Sequence, residues 1–297
     1  MKYAVVSAVV TDEIHFTDKT VKKVPGGAGI YALCGIKLWN DDVQVVTGVG
    51  EDYEEIHGEW YRNNNISMDG LKIKHQKSPY TVIQYFEDGE REETPRYGEE
   101  HFHMLETSWQ ELQPYIEGYD GVYIFKNADS FFWPRILYIK KTVKCKVMWE
   151  IAADAAVRSN YKKVKKIAAQ LEGFSINYTE AKNLLGLDDV DKIVEEFQSW
   201  EVGLIFLRCG EKGAVMITSS ETVKVPAQPH VQVVDPTGGG NSSTGAVLCG
   251  MVEGYSPEIC GKMGSIAAAM CISQYGVPEF ITKEMKEKAR LEAGIEV

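Results

Sequence analysis

Short apolar runs alternate along the chain with longer segments in which apolar residues recur every three or four positions. The first pattern is typical of buried β-strands and the second of amphipathic helices. Strands are predicted near 3–10, 43–47, 121–125, 146–149, 173–177, 203–208 and 231–234. Helices are predicted near 29–39, 51–63, 131–141, 161–171, 190–200, 241–252, 256–275 and 283–293. This alternation predicts right-handed βαβ units and a mainly parallel sheet covered on both faces.

Two segments, approximately 13–24 and 79–95, interrupt the alternation with strand-like stretches that have no helix between them. Asp88 and Gly89 form a dipeptide that is typical of a two-residue hairpin turn. Together the segments predict a small β-sheet inserted into a single α/β domain that spans 1–297. Such an insertion often forms a lid over an active site, and a plain surface hairpin is the alternative.

Composition narrows the class of partner. The chain has 297 residues, of which 44% are hydrophobic, and this suffices for an extensive core. Its net charge of −11 disfavours nucleic acid and anionic membranes, because either partner would repel an acidic surface. The basic run YKKVKK at 161–166 has the spacing of a solvated helix face. The expected partner is a small molecule or another protein.

The cysteines and the N-terminus predict a cytoplasmic protein. Six cysteines are scattered along the chain without a CxxC pair, which favours a reducing compartment. The first residues, MKYAVVSAVV, lack the long apolar segment and cleavage site of a signal peptide. No later apolar run approaches the length of a membrane span.

Histidines and aromatic residues near the second inserted segment have both structural and functional interpretations. His101 and His103 would share one face of a strand and could bind a metal, but the sequence offers no third ligand nearby. Tyr80, Tyr85 and Phe86 could stack on a substrate from the lid. Half-buried aromatic residues are nevertheless common in strands, so these three residues also fit a purely structural role.

The stretch DPTGGGNSSTGA, at 235–246, carries the strongest chemical signal. Gly238, Gly239 and Gly240 lie between the predicted strand 231–234 and the predicted helix 241–252. In open α/β sheets, the carboxyl ends of strands and the N-termini of helices favour anions. Residues without side chains let a phosphate approach the backbone closely. One glycine would fit a tight turn, whereas three in succession indicate a phosphate site.

Two other phosphate-binding motifs are absent from the sequence. A dinucleotide fingerprint should follow the first strand, but VVTDEIHF at 9–16 contains no glycine. The run GVGEDY at 48–53 has only GxG, and no GxxxxGK[ST] run occurs. The sequence therefore supports neither a Rossmann dehydrogenase nor a P-loop enzyme.

Seven pieces in a fixed order, over almost the whole chain, resemble the ribokinase-like (PfkB) sugar and nucleoside kinases. The pieces are Asp12 at the end of the first predicted strand, GGAGIYA at 26–32, GVGEDYEE at 48–55, MWE at 148–150, NYTE at 177–180, LRCGEKGA at 207–214 and DPTGGGN at 235–241. Each piece alone is weakly specific, and the ordered set is strongly specific. The resemblance implies a three-layer α/β/α sandwich with a mainly parallel sheet, and a β lid that excludes water so that ATP is not hydrolysed.

The resemblance also implies an activity, the transfer of the ATP γ-phosphoryl group to a hydroxymethyl group of a sugar, a nucleoside or a related metabolite. Asp12, Gly26 and Gly27 would hold this acceptor. Tyr31 stands near a position where many relatives have asparagine, and it suits a bulkier or more apolar acceptor. The backbone of Gly238, Gly239 and Gly240 would form the anion hole for the moving phosphoryl group.

On the nucleotide side, the resemblance implies ATP and Mg²⁺ as cofactors, with K⁺ as a candidate monovalent cation. The residues expected on this side are Asn177, Glu180, Gly210, Gly213, Asp235, Glu150, Arg158 and Arg208. Among them, Glu180 would order the magnesium ion through a bound water, and Asp235 is a further candidate for that role. A homodimer formed through the lid is the candidate assembly.

Asn241 departs from the family pattern, which has an aspartate that takes the proton from the attacking hydroxyl. An amide is not a useful base near neutral pH, although its carbonyl oxygen can accept a hydrogen bond from the hydroxyl. General-base help contributes about 10²–10⁴ in rate. Phosphoryl transfer nevertheless depends mostly on positioning and charge stabilisation, so the loss of the base is not necessarily fatal.

Two interpretations of Asn241 follow. In the first, the protein is an active kinase in which Asn241 orients the hydroxyl; in the second, it is a catalytically silent nucleotide- or sugar-binding protein that acts as a sensor or partner. The run DPTGGGN is similar to that of a fungal branch of the family, which indicates a subgroup with asparagine at this position. Asparagine is also a favoured helix N-cap, a role that is compatible with either interpretation.

Overall fold

The computed structural model describes residues 1–87 and 91–296, and the strands of this part of the chain form three sheets. The strands in chain order are β1 (Tyr3–Val6), β2 (Val10–His15), β3 (Val21–Gly26), β4 (Val43–Val45), β5 (Thr47–Gly50), β6 (Leu71–His75), β7 (Tyr80–Tyr85), β8 (Arg91–Pro95), β9 (Gly121–Lys126), β10 (Lys146–Ile151), β11 (Gly173–Asn177), β12 (Leu204–Arg208), β13 (Ala214–Ile217) and β14 (Thr222–Val225). The helices are α1 (Ala28–Lys37), α2 (Tyr53–Asn63), α3 (Glu99–Leu105), α4 (Trp109–Gly118), α5 (Phe132–Lys140), α6 (Tyr161–Ala168), α7 (Tyr178–Leu185), α8 (Val190–Gln198), α9 (Gly239–Glu253), α10 (Pro257–Ile272) and α11 (Lys283–Ala293).

The central sheet has its strands in the order β14-β13-β12-β11-β10-β9-β1-β4. The strands from β12 to β4 pair in parallel with their neighbours. At the other edge, β13 and β14 add antiparallel pairs. Parallel neighbours need helical crossovers, which cover the faces of the sheet. The mainly parallel α/β sheet predicted from the alternating pattern is confirmed.

The core lies on both faces of the sheet because successive residues of a strand point to opposite sides. In β1, Tyr3 and Val5 join the apolar cluster that contains Leu248 of α9 and residues of α1 and α10. Ala4 and Val6 join the second cluster, formed with α4 to α8. All four side chains of this strand are buried. The result is three layers, helix on sheet on helix.

A second sheet of four strands, the lid sheet, consists of β3, β2, β7 and β8 in that order. β2 and β7 pair in parallel, and the outer pairs are antiparallel. These strands contain most of the described residues of the segments 13–24 and 79–95, and the turn predicted at Asp88 and Gly89 falls outside the described residues. Rings of the lid, Phe16 and Tyr85, pack edge-on against Tyr275 at centroid distances of 4.7 and 5.3 Å.

The strand predicted over 3–10 is two strands. β1 ends at Val6, and β2 begins at Val10 in the lid sheet, where the Thr11 N–H donates to the Pro79 carbonyl at 2.9 Å. Asp12 therefore lies within a lid strand rather than at the end of a central strand. The predicted strand 43–47 divides in the same way, because β5 leaves the central sheet and pairs with β6.

The prediction of a strand at 231–234 is wrong, because this segment has no strand structure. Val233 is exposed, and the N–H groups of Val234 and Asp235 both donate to the carbonyl of Ile272, at 2.8 and 3.2 Å. The segment is thus tied to the C-terminus of α10 instead of a sheet. Its apolar residues match the sequence pattern of a strand. The pattern is misleading here because β-propensity reflects packing more than backbone preference.

Several elements were not predicted from the sequence. They are strand β6, the hairpin of β13 and β14, and the helices α3, α4 and α7. Both α4 and α7 begin at a capping box, formed by Ser108 with Glu111 and by Asn177 with Glu180. That spacing of a polar cap and an acidic residue is a helix signal in the sequence. Pro114 inside α4 obscures it there.

Two observations relate to the expectations about membrane spans and about the cysteines. Within residues 1–87 and 91–296, no helix combines the length and apolar character needed to cross a membrane. All six cysteines are free thiols.

His57 of α2 connects the helical layer to the lid sheet and gives a testable pH dependence of stability. Its Nε2 lies 2.8 Å from the Thr11 hydroxyl, and both residues are buried. Burial lowers the pKa of His57 from 6.5 to about 4. The unfolded chain therefore binds this proton at higher pH than the folded chain, so stability is greatest above pH 6.5 and falls towards pH 4 by up to about 3 kcal/mol.

Urea unfolding of the wild type and His57→Gln at pH 7 and pH 4.5 measures this contribution. We expect the wild type to lose more stability than His57→Gln on acidification, since glutamine keeps a polar group near Thr11 and does not titrate. His230→Asn changes an exposed histidine and should follow the wild type. Equal acid sensitivity of wild type and His57→Gln would refute the assignment.

Candidate active site

A cleft of about 660 Å³ lies between the lid sheet and the carboxyl ends of the central strands. The lid contributes Asp12 and Thr81. The chain after the central strands contributes Ser7 after β1, Asn127 after β9 and Ala152 after β10. In parallel sheets these strand ends meet at one edge, which is where ligands of open α/β folds bind. The location therefore favours a small-molecule site.

The glycine turn reaches this cleft at the start of α9. Gly238 is the N-cap of the helix, with a left-handed conformation (φ 76°, ψ −6°), and it lines the cleft together with Thr237. The helix has no side-chain cap and no acidic residue in its first turn. The first N–H groups of a helix have no partner within the helix, and the dipole makes that end positive. The turn is thus suited to an anion.

Close neighbours explain why this turn needs glycine. A Cβ atom on Gly238 would lie 2.0 Å from the ring of Tyr31. A Cβ atom on Gly240 would lie 2.0 Å from a terminal nitrogen of Arg208. On Gly239, it would lie 2.8 Å from Ile272. The three glycines therefore allow the helix to begin between an aromatic ring and a guanidinium group.

Asp235 shapes the turn from its other end. This buried residue accepts two hydrogen bonds at Oδ1, from the backbone N–H of Thr237 at 2.9 Å and from its hydroxyl at 2.6 Å. Such a local bond between an aspartate and the residue two positions on is typical of turns. Asp235 does not line the cleft itself.

The residues expected to hold the acceptor lie together on the lid side of the cleft. Asp12, Gly27 and Tyr31 all line it, and Asp12 is only 6% exposed. The carboxylate of Asp12 packs against Gly26, where an added Cβ would lie 1.8 Å from Oδ2. Gly27 is the N-cap of α1 with φ 82° and an added Cβ there would lie 2.8 Å from the Ala8 carbonyl oxygen. The double glycine is thus required by close backbone approach.

Tyr31 is a neutral phenol at this position. Burial, followed by the nearby charges of Asp12 and Asp235, raises the pKa of Tyr31 above its usual value. The ring lies against Gly238, so one side chain contacts both the acceptor side and the glycine turn. Its hydroxyl can donate as well as accept a hydrogen bond.

Asn241 is the third residue of α9 and not its N-cap, which corrects the capping interpretation. The residue lines the cleft, and its amide nitrogen donates to Glu150 Oε1 at 3.1 Å and to the Tyr123 hydroxyl at 3.3 Å. Tyr123 in turn donates to Glu150 Oε2 at 2.8 Å. The asparagine amide is therefore held from behind by two buried side chains.

Arg208 extends this network toward α7. Its NH1 group pairs with Glu150 Oε1 at 2.9 Å, and its NH2 group lies 3.7 Å from Glu180 Oε2. Glu150 is 2% exposed, so the arginine supplies the charge that a buried carboxylate needs. The structure thus joins Asn241, Glu150, Arg208 and Glu180, although none of the last three lines the cleft.

The motif NYTE forms the N-terminus of α7. Asn177 accepts the N–H of Glu180 at 2.8 Å, and the Glu180 carboxylate accepts the N–H of Asn177 at 2.9 Å. Burial raises the pKa of Glu180 above its usual value. The capping box fixes the position of this carboxylate beside Arg208, and the local motif therefore has a structural role in addition to any role with a ligand.

The loop with Gly210 and Gly213 and the side chain of Arg158 lie outside the cleft. Both glycines have positive φ, 60° and 84°, and a Cβ on Gly213 would lie 2.1 Å from the Val225 carbonyl oxygen. They form the turn from β12 to β13. Arg158 donates to the Leu185 carbonyl at 2.6 Å.

The structure corrects the strand placement predicted for the two histidines on the lid side. His101 and His103 lie on α3, not on a strand, and residues two apart on a helix do not share a face. Across the described residues there is no group of three side chains arranged to hold a metal. The cleft wall on β7 is formed by Thr81 and Ile83, and the aromatic residues Tyr80, Tyr85 and Phe86 lie outside it.

Two features in or behind the cleft wall were missed in the sequence. Tyr123 contacts Asn241, and Lys126 pairs with Glu106 at 2.6 Å in the cleft wall. A polar atom in a buried strand must find a partner, so Tyr123 in GVYIFK and Glu150 in KVMWEI could have been flagged as a pair. The pairing itself depends on the neighbouring positions of β9 and β10.

Comparison with known proteins agrees with this fold. Residues 2–283 match the family described as pfkB family carbohydrate kinase. The chain is 24% identical over 280 residues to a cytidine kinase of Thermococcus kodakarensis, covering 92% of this chain and 96% of that protein. The adenosine kinase of Sinorhizobium meliloti superposes with a TM-score of 0.79 at 18% identity, covering 98% of each chain. A putative ribokinase II of E. coli in complex with ATP and Mg²⁺ has a TM-score of 0.79 at 14% identity, covering 98% of this chain and 99% of that one.

Proposed function

The chain belongs to the pfkB family of carbohydrate kinases, and we propose that it transfers the γ-phosphoryl group of ATP to a hydroxymethyl group of a sugar, a nucleoside or a related small molecule. One observation carries this proposal: the uncapped glycine turn of α9 opens into the same cleft as the buried carboxylate of Asp12. Relatives that are a cytidine kinase and an adenosine kinase support an acceptor of the sugar or nucleoside class.

Asp12 binds the acceptor in this mechanism. Its carboxylate accepts hydrogen bonds from acceptor hydroxyl groups, and Gly26 lets this carboxylate pack closely against the backbone. Tyr31 forms the wall between the acceptor and the glycine turn. Hydrogen bonds to a charged group contribute about 1.5–3 kcal/mol each, so this carboxylate dominates acceptor affinity.

The first turn of α9 stabilises the moving phosphoryl group. The Gly239 N–H donates to the Pro236 carbonyl at 3.4 Å, and the N–H groups of Gly240 and Asn241, fixed by the helix, need no reorganisation during the reaction. Donors preorganised in this way contribute about 10²–10³ each in rate. Asn241 orients the acceptor hydroxyl through its carbonyl oxygen, and a phosphate oxygen, a water or another carboxylate takes the proton.

In this proposal, residues from the second half of the chain bind the nucleotide and its metal ion. The donor chemistry fits Mg²⁺, which usually keeps several waters and binds through one or two carboxylates and substrate phosphates. Glu180, fixed by Asn177, would order the ion through water, and the bound ion would neutralise phosphate charge. Asp235 is a further candidate on this side, and K⁺ a candidate second cation. Arg208, Gly210 and Gly213 are assigned to the nucleotide in the same proposal.

A catalytically silent binding protein of the same fold is the second candidate function. The specific observation in its favour is Asn241, an amide in the usual position of the base, with its nitrogen bound to Glu150. We assign the chain to a subgroup that has asparagine at this position. A cytoplasmic location and a homodimer formed through the lid sheet complete the proposal.

An acceptor screen tests the proposed activity. The protein is incubated with ATP, Mg²⁺ and a panel of sugars and nucleosides, and phosphorylated acceptor is detected by mass spectrometry. We expect at least one acceptor to gain a phosphate in a reaction that requires Mg²⁺. ADP formation without a phosphorylated acceptor would indicate hydrolysis and would count against the proposal.

A further inference from the structure

The amide of Asn241 has only one chemically consistent orientation. Glu150 is paired with Arg208 and accepts a hydrogen bond from the Tyr123 hydroxyl, so it presents carboxylate oxygens that can only accept. An inverted amide would place the carbonyl oxygen of Asn241 against Glu150 Oε1 at about the present 3.1 Å. Two acceptors would then face each other without a proton. The nitrogen must face Glu150, which leaves the carbonyl oxygen for the cleft.

Charge adds a second constraint at the same position. An aspartate at 241 would bring a second carboxylate to about 3 Å from Glu150, if it kept the present 3.1 Å separation. Like charges at that distance cannot both remain ionised at low cost. Arg208 offers one positive charge, which it already shares between Glu150 and Glu180.

From these contacts we infer that Glu150 and Tyr123 are positioning residues, which direct the carbonyl oxygen of Asn241 toward the acceptor hydroxyl. The buried charge of Glu150 also makes asparagine, rather than aspartate, the residue that fits at position 241. The orienting role rests on the proposed function. The charge pairing does not, because it is a property of the folded protein alone. Among the described residues, ionisable groups face Glu150 from β9, β12 and α7; they are Tyr123, Arg208 and Glu180.

The first test is kinetic and uses Glu150→Gln. Glutamine keeps the size of the side chain but can turn a donor toward Asn241, so the asparagine amide is no longer fixed. We expect kcat to fall about 10²-fold, the effect of misplacing a reacting group by about 1 Å, with little change in the KM for ATP or acceptor. Tyr123→Phe should lower kcat in the same direction by a smaller factor. An unchanged kcat in Glu150→Gln would overturn the orienting role.

The second test measures stability and needs no activity. In Asn241→Asp, repulsion by Glu150 raises the pKa of the new carboxyl in the folded protein. The folded protein then holds this proton more tightly than the unfolded chain, so the variant loses stability relative to wild type as the pH rises from 5 to 8. The double variant E150Q/N241D removes the repulsion, and it should lose this pH dependence. Urea unfolding of all four proteins gives the coupling as a double-mutant cycle.

Asn63→Asp is the matched control, since it adds the same charge at an exposed position. Its stability relative to wild type should not change between pH 5 and pH 8. If Asn241→Asp behaves like this control, or is more active than wild type at pH 8, the inference is wrong. If the coupling is present but no protein of the set phosphorylates any acceptor, the charge pairing stands and the proposed function fails. Should Asn241→Asp not fold at all, recovery of folding in E150Q/N241D supports the pairing, and no recovery contradicts it.

Discussion

Gly238→Ala is expected to reduce kcat/KM about 10³-fold or more in a protein that still folds. Residue 238 has φ 76°, which costs an alanine about 1–2 kcal/mol. Its Cβ would also lie 2.0 Å from the ring of Tyr31, so the ring and the first turn of α9 must move apart. A shift of about 1 Å costs about 10²-fold, and a misplaced donor for the phosphoryl group adds about 10²-fold or more.

Gly254→Ala separates this effect from simple strain. Gly254 caps the other end of α9 with φ 80°, and a Cβ there would meet no atom within 4 Å. The alanine should therefore introduce a similar backbone strain, and the variant should keep its activity. Steady-state kinetics with the acceptor from the screen, together with urea unfolding, measures both variants. Equal activity of Gly238→Ala and Gly254→Ala would show that the turn does not take part in transfer.

Asp12→Asn is expected to lower kcat/KM for the acceptor about 10²-fold, with little change in the KM for ATP. The carboxylate is buried in the cleft wall, and hydrogen bonds that it accepts from acceptor hydroxyl groups are worth about 1.5–3 kcal/mol each. An amide of the same shape keeps the packing against Gly26 but loses the charge. The measurement is kcat/KM as a function of acceptor and of ATP concentration.

Glu13→Gln is the control for this variant, because adjacent residues of a strand point to opposite faces. Glu13 lies outside the cleft, where it binds Tyr80, His15, Lys23 and Arg96. Those contacts lower the pKa of Glu13 to about 2, so its loss should affect the stability of the lid sheet rather than acceptor affinity. A loss of kcat/KM in Glu13→Gln as large as that in Asp12→Asn would indicate a general effect on the lid.

The sequence predicted the parallel sheet and the glycine turn because both leave strong local signals. Apolar runs of β9 to β12 are bounded by polar residues, and three successive glycines indicate a turn that other groups approach closely. The segment 231–234 was misread since its valines satisfy the strand pattern while its N–H groups bind Ile272. The conformation of such a segment depends on its tertiary contacts, which the periodicity of the sequence does not encode.

The individual residues of the candidate site could be predicted from the sequence, but the contacts between them could not. Asp12, Gly238 and Asn241 each stand in a recognisable run, and all three line the cleft. The capping interpretation of Asn241 failed because the N-cap is Gly238, three residues earlier, and helix boundaries are poorly defined by composition alone. The bond from Asn241 to Glu150 joins residues 91 positions apart, so only the packing of α9 against β10 reveals it.

The central claim is that the glycine turn and Asp12 place a transferable phosphoryl group beside an acceptor hydroxyl. It is tested most directly by measuring binding and turnover on one sample of wild-type protein. Calorimetry gives the affinities for Mg²⁺-ATP and for the acceptor, and phosphorus NMR then follows the same mixture over time. The account predicts that both ligands bind and that a phosphomonoester signal of the acceptor grows as ATP is consumed. Tight binding of both ligands with no phosphomonoester signal would contradict it and identify a binding protein.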